Sequence, residues 1–177
     1  MHDQELFSPK IVAENASIQL RSHDQVRQKA RVQILRRYKW QPPQSDLLKL
    51  NVDAAIFPKW DKIGVAAVLR NATGGVLMAL SKAEIPMEGS KGIELHAIFR
   101  GLQQCATMGV SNILAESDSL LSIEALTDDS MTSSLLGVVY YEIKKLAKCF
   151  VACMFSHVYR EGNMVVHKLA RNAWLKV

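Results

Sequence analysis

The chain has few cysteines and no long apolar run, and each shortage excludes something. Three cysteines in 177 residues cannot make a disulfide framework, and an odd count points to a reducing compartment. No apolar run approaches the ~20 residues that a membrane helix needs; the longest, such as Leu135–Tyr141, are short. The opening MHDQELFSPK lacks the apolar centre of a signal peptide. An intracellular location with no membrane partner is therefore expected. No paired Cys or His has the spacing of a zinc site. Gly74-Gly75 is a turn signal and not a phosphate loop, and no Ser or Cys nucleophile motif is visible. There is no internal repeat and no low-complexity tract.

What is present is an ordinary globular composition, 49% hydrophobic, with a net charge of +5. The length suits one domain plus an extension. The charge is uneven. Residues 1–45 carry 8 basic against 4 acidic side chains, and residues 46–177 carry 14 against 13. A basic surface attracts nucleic acid, but here it belongs mainly to the first quarter. Within it, Val26, Ala30, Ile34 and Leu35 recur at helical spacing among Arg27, Lys29, Arg31, Arg36 and Arg37. That stripe is too thin for an independent core. The prolines of Trp40-Gln41-Pro42-Pro43-Gln44-Ser45 read as a linker. The expected division is a basic extension and linker over 1–45 and a folded domain over 46–177.

The domain begins with the strand-like alternation Leu48-Lys49-Leu50-Asn51-Val52-Asp53. A buried strand over Gly64–Leu69, a hairpin turn at Asn71–Gly75 and a third strand over Val76–Ser81 should complete an antiparallel meander. A helix is expected over Gly92–Met108, then a strand over Asn112–Glu116. Helices over Asp118–Leu126 and Ser133–Lys148 follow, then a strand over Cys149–Tyr159 and a helix over Asn163–Trp174. Helical crossovers place the last two strands parallel to the first. The result is an α/β fold, a five-stranded mixed sheet of three antiparallel then two parallel strands flanked by helices.

On this frame, Asp53 ends strand one, Asp118 follows strand four, and Glu94 opens the crossover helix. Ligands bind beyond the carboxyl ends of parallel strands in such sheets. Three carboxylates at one point repel one another, and a hard cation such as Mg²⁺ resolves the conflict. Two ions ~4 Å apart can clamp an in-line displacement at phosphorus. Against this, Asp118 could simply cap a helix, and Glu94 in a first turn favours the helix dipole without any chemistry.

Several motifs resemble one family, in the correct order over roughly residues 40–175. Trp40-Gln41-Pro42-Pro43, Lys49-Leu50-Asn51-Val52-Asp53, Gly64–Arg70 and Gly74-Gly75-Val76-Leu77 resemble the opening of plant ribonuclease H-like domains, many of them related to non-LTR retroelement polyproteins. Glu94-Leu95-His96-Ala97, Glu116-Ser117-Asp118-Ser119, His157–Asn163 and His167-Lys168-Leu169-Ala170-Arg171 resemble its later motifs. The resemblance implies an RNase H fold and Mg²⁺- or Mn²⁺-dependent endonucleolytic cleavage of RNA in an RNA–DNA hybrid by a monomer. It implies Asp53, Glu94 and Asp118 as metal ligands, His167 as a fourth catalytic position, and Arg160 and Asn163 at the nucleic acid.

The sequence also departs from that family's enzymes. His167 stands where they carry a fourth carboxylate, and imidazole holds a hard cation less well. Two ions are expected, the second weakly held. Arg160-Glu161-Gly162-Asn163, read as a loop, lacks a mobile His, and His157 is expected to pack on its strand. Ala54 follows Asp53 where glycine is usual. A basic handle is not evident, although Lys144, Lys145 and Lys148 could replace it in part. Cys149 and Cys153 read as core. The alternatives to an active nuclease are a nucleic-acid-binding module with weak or no turnover, and a decayed retroelement fragment.

Overall fold

Alternation within the first strand organises the sheet. In the computed structural model, which describes residues 39–44, 46–85, 92–128 and 137–176, strand β1 runs Leu48–Phe57. Leu50, Val52 and Ala54 point into the main apolar core, and Lys49, Asn51 and Asp53 point to the opposite face. β1 pairs antiparallel with β2 (Lys62–Arg70), which pairs antiparallel with β3 (Val76–Glu84). On its other side β1 pairs parallel with β4 (Asn112–Ser117), and β4 with β5 (Ala152–His157). The order is β3-β2-β1-β4-β5. This is the mixed sheet expected, three antiparallel strands followed by two parallel ones.

Helix α1 (Ile93–Thr107) makes the crossover from β3 to β4. Its Leu95, Ile98, Leu102 and Cys105 pack on Leu50, Val52, Val65, Ala67 and Leu69. Helix α2 (Leu120–Thr127) and helix α3 (Gly137–Ala147) close the same core through Ile123, Leu126 and Ile143. Helix α4 (Arg160–Arg171) lies on the other face, where Val166 and Ala170 meet Ala66 and Val68. It lies close because β2 carries Gly64 beneath it. A Cβ there would collide with the Ala170 carbonyl and the Ala173 methyl.

The differences from the expected elements have physical causes. β1 continues four residues past Asp53, because β2 pairs with it as far as Phe57. Its pairing with β4 stops at Asn51–Glu116. Asp53 therefore sits beyond the end of the parallel pairing, not at the end of its strand. The segment Arg160–Asn163 is the first turn of α4 and not a loop. The Gly162 and Asn163 amides both bond the Tyr159 carbonyl, and glycine is tolerated where a helix has not yet closed its own ladder. The helix ends at Arg171, and a separate 3₁₀ turn follows over Ala173–Lys176. Cys149 is exposed and precedes β5, so of the two cysteines only Cys153 packs on the core.

The extension before residue 39, the helix expected within it and the helix start at Ser133 lie outside the described residues. Trp40–Val177 forms one compact unit, and the Trp40 indole is bonded to the sheet through Asn51. At the far end of the β1–β2 hairpin, the Trp60 and Trp174 rings stack with centroids 5.3 Å apart, and Phe57 meets Trp60 edge-on. With Lys62 these rings line a cavity of about 190 Å³. No helix among the described residues is long and apolar enough to cross a membrane.

Candidate metal centre

Past Asn51 and Glu116 the paired strands β1 and β4 part company, and Asp53 and Asp118 flank the gap. Glu94 enters from the first turn of α1. One carboxylate oxygen from each of Asp53, Glu94 and Asp118 lies within 4.8 Å of the others. These are the three acids that sequence reasoning grouped. Asp118 is not the cap of α2. Ser119 takes that place, its hydroxyl accepting the Ser122 amide, so Asp118 stays turned toward the gap.

The electrostatics of the group are unfavourable as it stands. Glu94 is pushed up to about 8, first by burial and then by the charges of Asp53 and Asp118. Asp53, 3% exposed, is also raised by burial and by Asp118, against the opposing bond from His167. Glu94 Oε2 is buried and has no hydrogen-bond partner among the described residues. An unpaired acceptor among three converging carboxylates carries a cost that a bound cation removes. All three donors are oxygens, the set that hard divalent cations prefer. Trans ligands around Mg²⁺ lie ~4.2 Å apart, so a spread of 4.8 Å closes with a small adjustment of side chains. The residues present fit a divalent ion of the Mg²⁺ type.

One stripe of α4 faces this gap. Arg160, Asn163 and His167 are spaced i, i+3 and i+7. His167 Nδ1 bonds Asp53 Oδ2 at 2.7 Å, and the Arg160 Nη2 lies 3.0 and 2.9 Å from the two ring nitrogens of His167. Donation of Nδ1–H to Asp53 leaves Nε2 as the acceptor for the guanidinium. Asn163 is 1% exposed. Its amide donates to the Val52 carbonyl at 2.9 Å and to Asp118 Oδ1 at 3.4 Å. Asn163, expected at the nucleic acid, is buried here and braces the helix against β1 and against Asp118 just past β4. Arg160 is exposed but turned toward His167. Ala54 needs no glycine conformation, because it sits in regular strand, and its amide donates to Asp53 Oδ1 at 2.9 Å.

Two supporting clusters went unread in the sequence. Directly before the acids, Lys49 bonds Glu116 at 2.6 Å, Asn51 donates to Glu116 Oε2 at 2.9 Å, and the Trp40 indole N–H donates to Asn51 Oδ1 at 2.9 Å. Arg70 bonds the same Asn51 oxygen, and its guanidinium lies over the Trp40 ring. Behind Glu94, Glu84 at the end of β3 bonds His96 at 2.7 Å and Arg100 at 2.9 Å. These bonds pull Glu84 below its usual value although burial opposes them, and they fix the first turns of α1. The signal for both clusters is long-range pairing. His157 stays on β5 with its ring edge against Tyr159. Lys144 bonds the Leu126 carbonyl, on the far side of the core.

A family model described as reverse transcriptase-like matches residues 51–173. Solved structures share the fold. RNase H1 from the halophilic archaeon Halobacterium salinarum is 22% identical, with a TM-score of 0.67 over 74% of this chain and 99% of that one. The N-terminal RNase H domain of a Mycobacterium tuberculosis protein is 21% identical, with a TM-score of 0.65 over 73% and 94%. LC11-RNase H1, solved in complex with an RNA/DNA hybrid, is 18% identical, with a TM-score of 0.64 over 73% and 97%. The comparison with curated proteins found no match. These likenesses establish an RNase H-like fold.

Proposed function

The chain belongs to the reverse transcriptase-like family, and from that premise we propose that it is a metal-dependent ribonuclease that cleaves the RNA strand of an RNA–DNA hybrid endonucleolytically. One observation supports this most: three carboxylates converge beyond the strand ends, with a buried Glu94 oxygen that none of the described residues satisfies. The reading places a Mg²⁺ or Mn²⁺ ion on Asp53, Glu94 and Asp118. When bound, such an ion lowers the pKa of a coordinated water and stabilises charge on a phosphoryl oxygen. The chain supplies the rest. Asn163 and the β1 backbone hold Asp118 and Asp53 at fixed separation. His167 orients Asp53, and the Glu84–His96–Arg100 cluster holds the α1 turn that presents Glu94.

The reading further takes residues 46–177 as the catalytic domain, residues 1–45 as a basic extension, and a monomer as the working form. The test is cleavage of a labelled RNA–DNA hybrid with Mg²⁺ or Mn²⁺, beside Asp53→Asn. Nicks in the RNA strand that vanish in the variant are expected. No cleavage above the variant's background, at high protein concentration, removes the proposal.

One observation favours a second reading, a hybrid-binding module with little turnover. Both ring nitrogens of His167 are engaged, one by Asp53 and one by Arg160. That reading predicts salt-dependent hybrid binding without cleavage, and a gain of cleavage in His167→Asp.

A further inference from the structure

The aromatic cavity at the turn between β1 and β2 has no part in the metal site. Phe57, Trp60, Lys62 and Trp174 enclose about 190 Å³ there. Pockets for drug-sized molecules run ~300–1,000 Å³, so this one admits a single ring system and not a peptide segment. The Trp60 and Trp174 rings lie 5.3 Å apart and 14° from parallel, with Phe57 edge-on to Trp60. Although packed on each other, the two indoles remain 53% and 43% exposed. Each therefore keeps ring surface in water, beside a cavity that a further ring can fill.

Charge decides what that ring carries. Lys62 lines the cavity, and Lys59 is exposed in the same turn, against one acid, Asp61, at the exposed corner. Among the described residues neither lysine is paired with a carboxylate. A cationic ligand, which an aromatic cage otherwise suits, would meet Lys62 at the wall. An aromatic ring bearing phosphate meets complementary charge. Position points to the same partner as the metal site. Asp53 and Phe57 lie on one strand and one face, since Phe57 also sits beneath α4: a Cβ on Gly64 would strike both the Phe57 ring and the Ala170 carbonyl. At ~3.3 Å per residue the rings begin ~13 Å along β1 from the Asp53 carboxylate. The route between is cationic. Arg171 is exposed one turn beyond His167 on the same side of α4, and Trp174 follows in the 3₁₀ turn.

We propose that this cavity holds one unpaired base of a nucleic-acid strand whose paired part lies at the metal centre. The base stacks on an indole face, and Lys62 and Lys59 take the adjoining phosphates. Such stacking is blind to sequence, because every base has a π face, and the lysines read only the backbone. What the site distinguishes is a strand that has left its duplex, since a base inside a duplex has no free face to offer. The favoured substrate is therefore a hybrid with a single-stranded tail that begins about four nucleotides from the cleaved phosphate, at ~3.4 Å per stacked nucleotide.

The inference rests on the reading of nucleic acid as the substrate, and it is tested in EDTA, where cleavage plays no part. The probe is a fluorescein-labelled ten-nucleotide single strand of deoxythymidine, read by anisotropy, beside an abasic strand of the same length and charge. Wild type is expected to bind the strand with bases about five- to hundredfold tighter than the abasic one, a comparison that needs no variant. Trp60→Leu and Trp174→Leu, their folding checked by circular dichroism, should bring the two strands within about twofold, while Trp60→Phe keeps a ring and most of the gap. Lys62→Met should weaken both strands alike and lower the salt slope. Equal binding of both strands by wild type, or a gap unchanged in both leucine variants, overturns the inference. So does a dimer in size-exclusion chromatography that Trp60→Leu breaks, because the rings then serve a second copy of the chain. Absent hybrid cleavage with the gap intact removes the nuclease reading alone, and cleavage without the gap removes this inference alone.

Discussion

Two polar clusters lie on the same face of the same two strands, one step apart, and they differ in a single respect. Asn51 and Glu116 face each other across β1 and β4, and Asp53 and Asp118 follow two residues later on each chain. In the first cluster every polar side chain has a partner. Lys49 meets Glu116, Arg70 meets Asn51, and Trp40 closes the top with its N–H and its ring. In the second, three carboxylates gather, and among the described residues two buried oxygens, Glu94 Oε2 and Asn163 Oδ1, have no partner. Both clusters are buried and polar. The balanced one is paired and hydrogen-bonded throughout, as buried charges in a structural role must be. The imbalanced one stores a penalty that only a ligand relieves, and such sites are where function is found.

The comparison can be broken from either side. The largest effect expected is on catalysis: Asp53→Asn should reduce hybrid cleavage to background while leaving the chain folded, as read by gel assay and circular dichroism. Next is Glu116→Ala in the balanced cluster. It leaves Lys49, 5% exposed, without its counter-ion, and should cost about 3–5 kcal/mol by denaturant unfolding, with metal affinity little changed in whatever remains folded.

The third prediction concerns pH. Glu94 is raised from 4.5 to about 8 in the folded chain. Folding therefore favours its protonated form, and the contribution is fully present below pH 4.5. It is lost as pH rises from about 4.5 to about 8, because the unfolded chain releases that proton first. Metal-free stability should fall across this window by the order of a few kcal/mol. Glu94→Gln, or saturating Mg²⁺, should flatten the slope in thermal melts taken at several pH values. A slope unchanged in Glu94→Gln would mean that Glu94 carries no such strain. The smallest effect is Trp40→Phe, which keeps the ring but loses the bond to Asn51. It should cost about 1 kcal/mol and leave cleavage intact.

The balance between the two clusters also separates what the sequence disclosed from what it hid. Alternation in β1 and the crossovers bring Asp53, Glu94 and Asp118 together on sequence grounds, because those relations follow from period and topology. The balanced cluster was hidden, since Trp40, Lys49, Asn51, Arg70 and Glu116 meet through pairing between distant segments. Proline at 42 and 43 drew attention to a linker and away from the indole beside it. Likewise Gly162 suggested a loop, and placing the helix start at Asn163 removed Arg160 from the stripe it shares with His167. The continuation of β1 to Phe57 is not legible, because Ala54-Ala55-Ile56-Phe57 carries no polar–apolar alternation.

The stacked rings of Trp60 and Trp174 have a practical consequence. The chain has three tryptophans, and the fold puts each to separate optical use. Two are coupled chromophores joining the β1–β2 turn to the end of α4. The third lies beneath a guanidinium, bonded to Asn51 on β1 and apart from that pair. In Trp40→Phe the emission comes from the coupled pair alone, so a displacement of the carboxyl end of α4 would register as a change in near-ultraviolet dichroism with no dye attached.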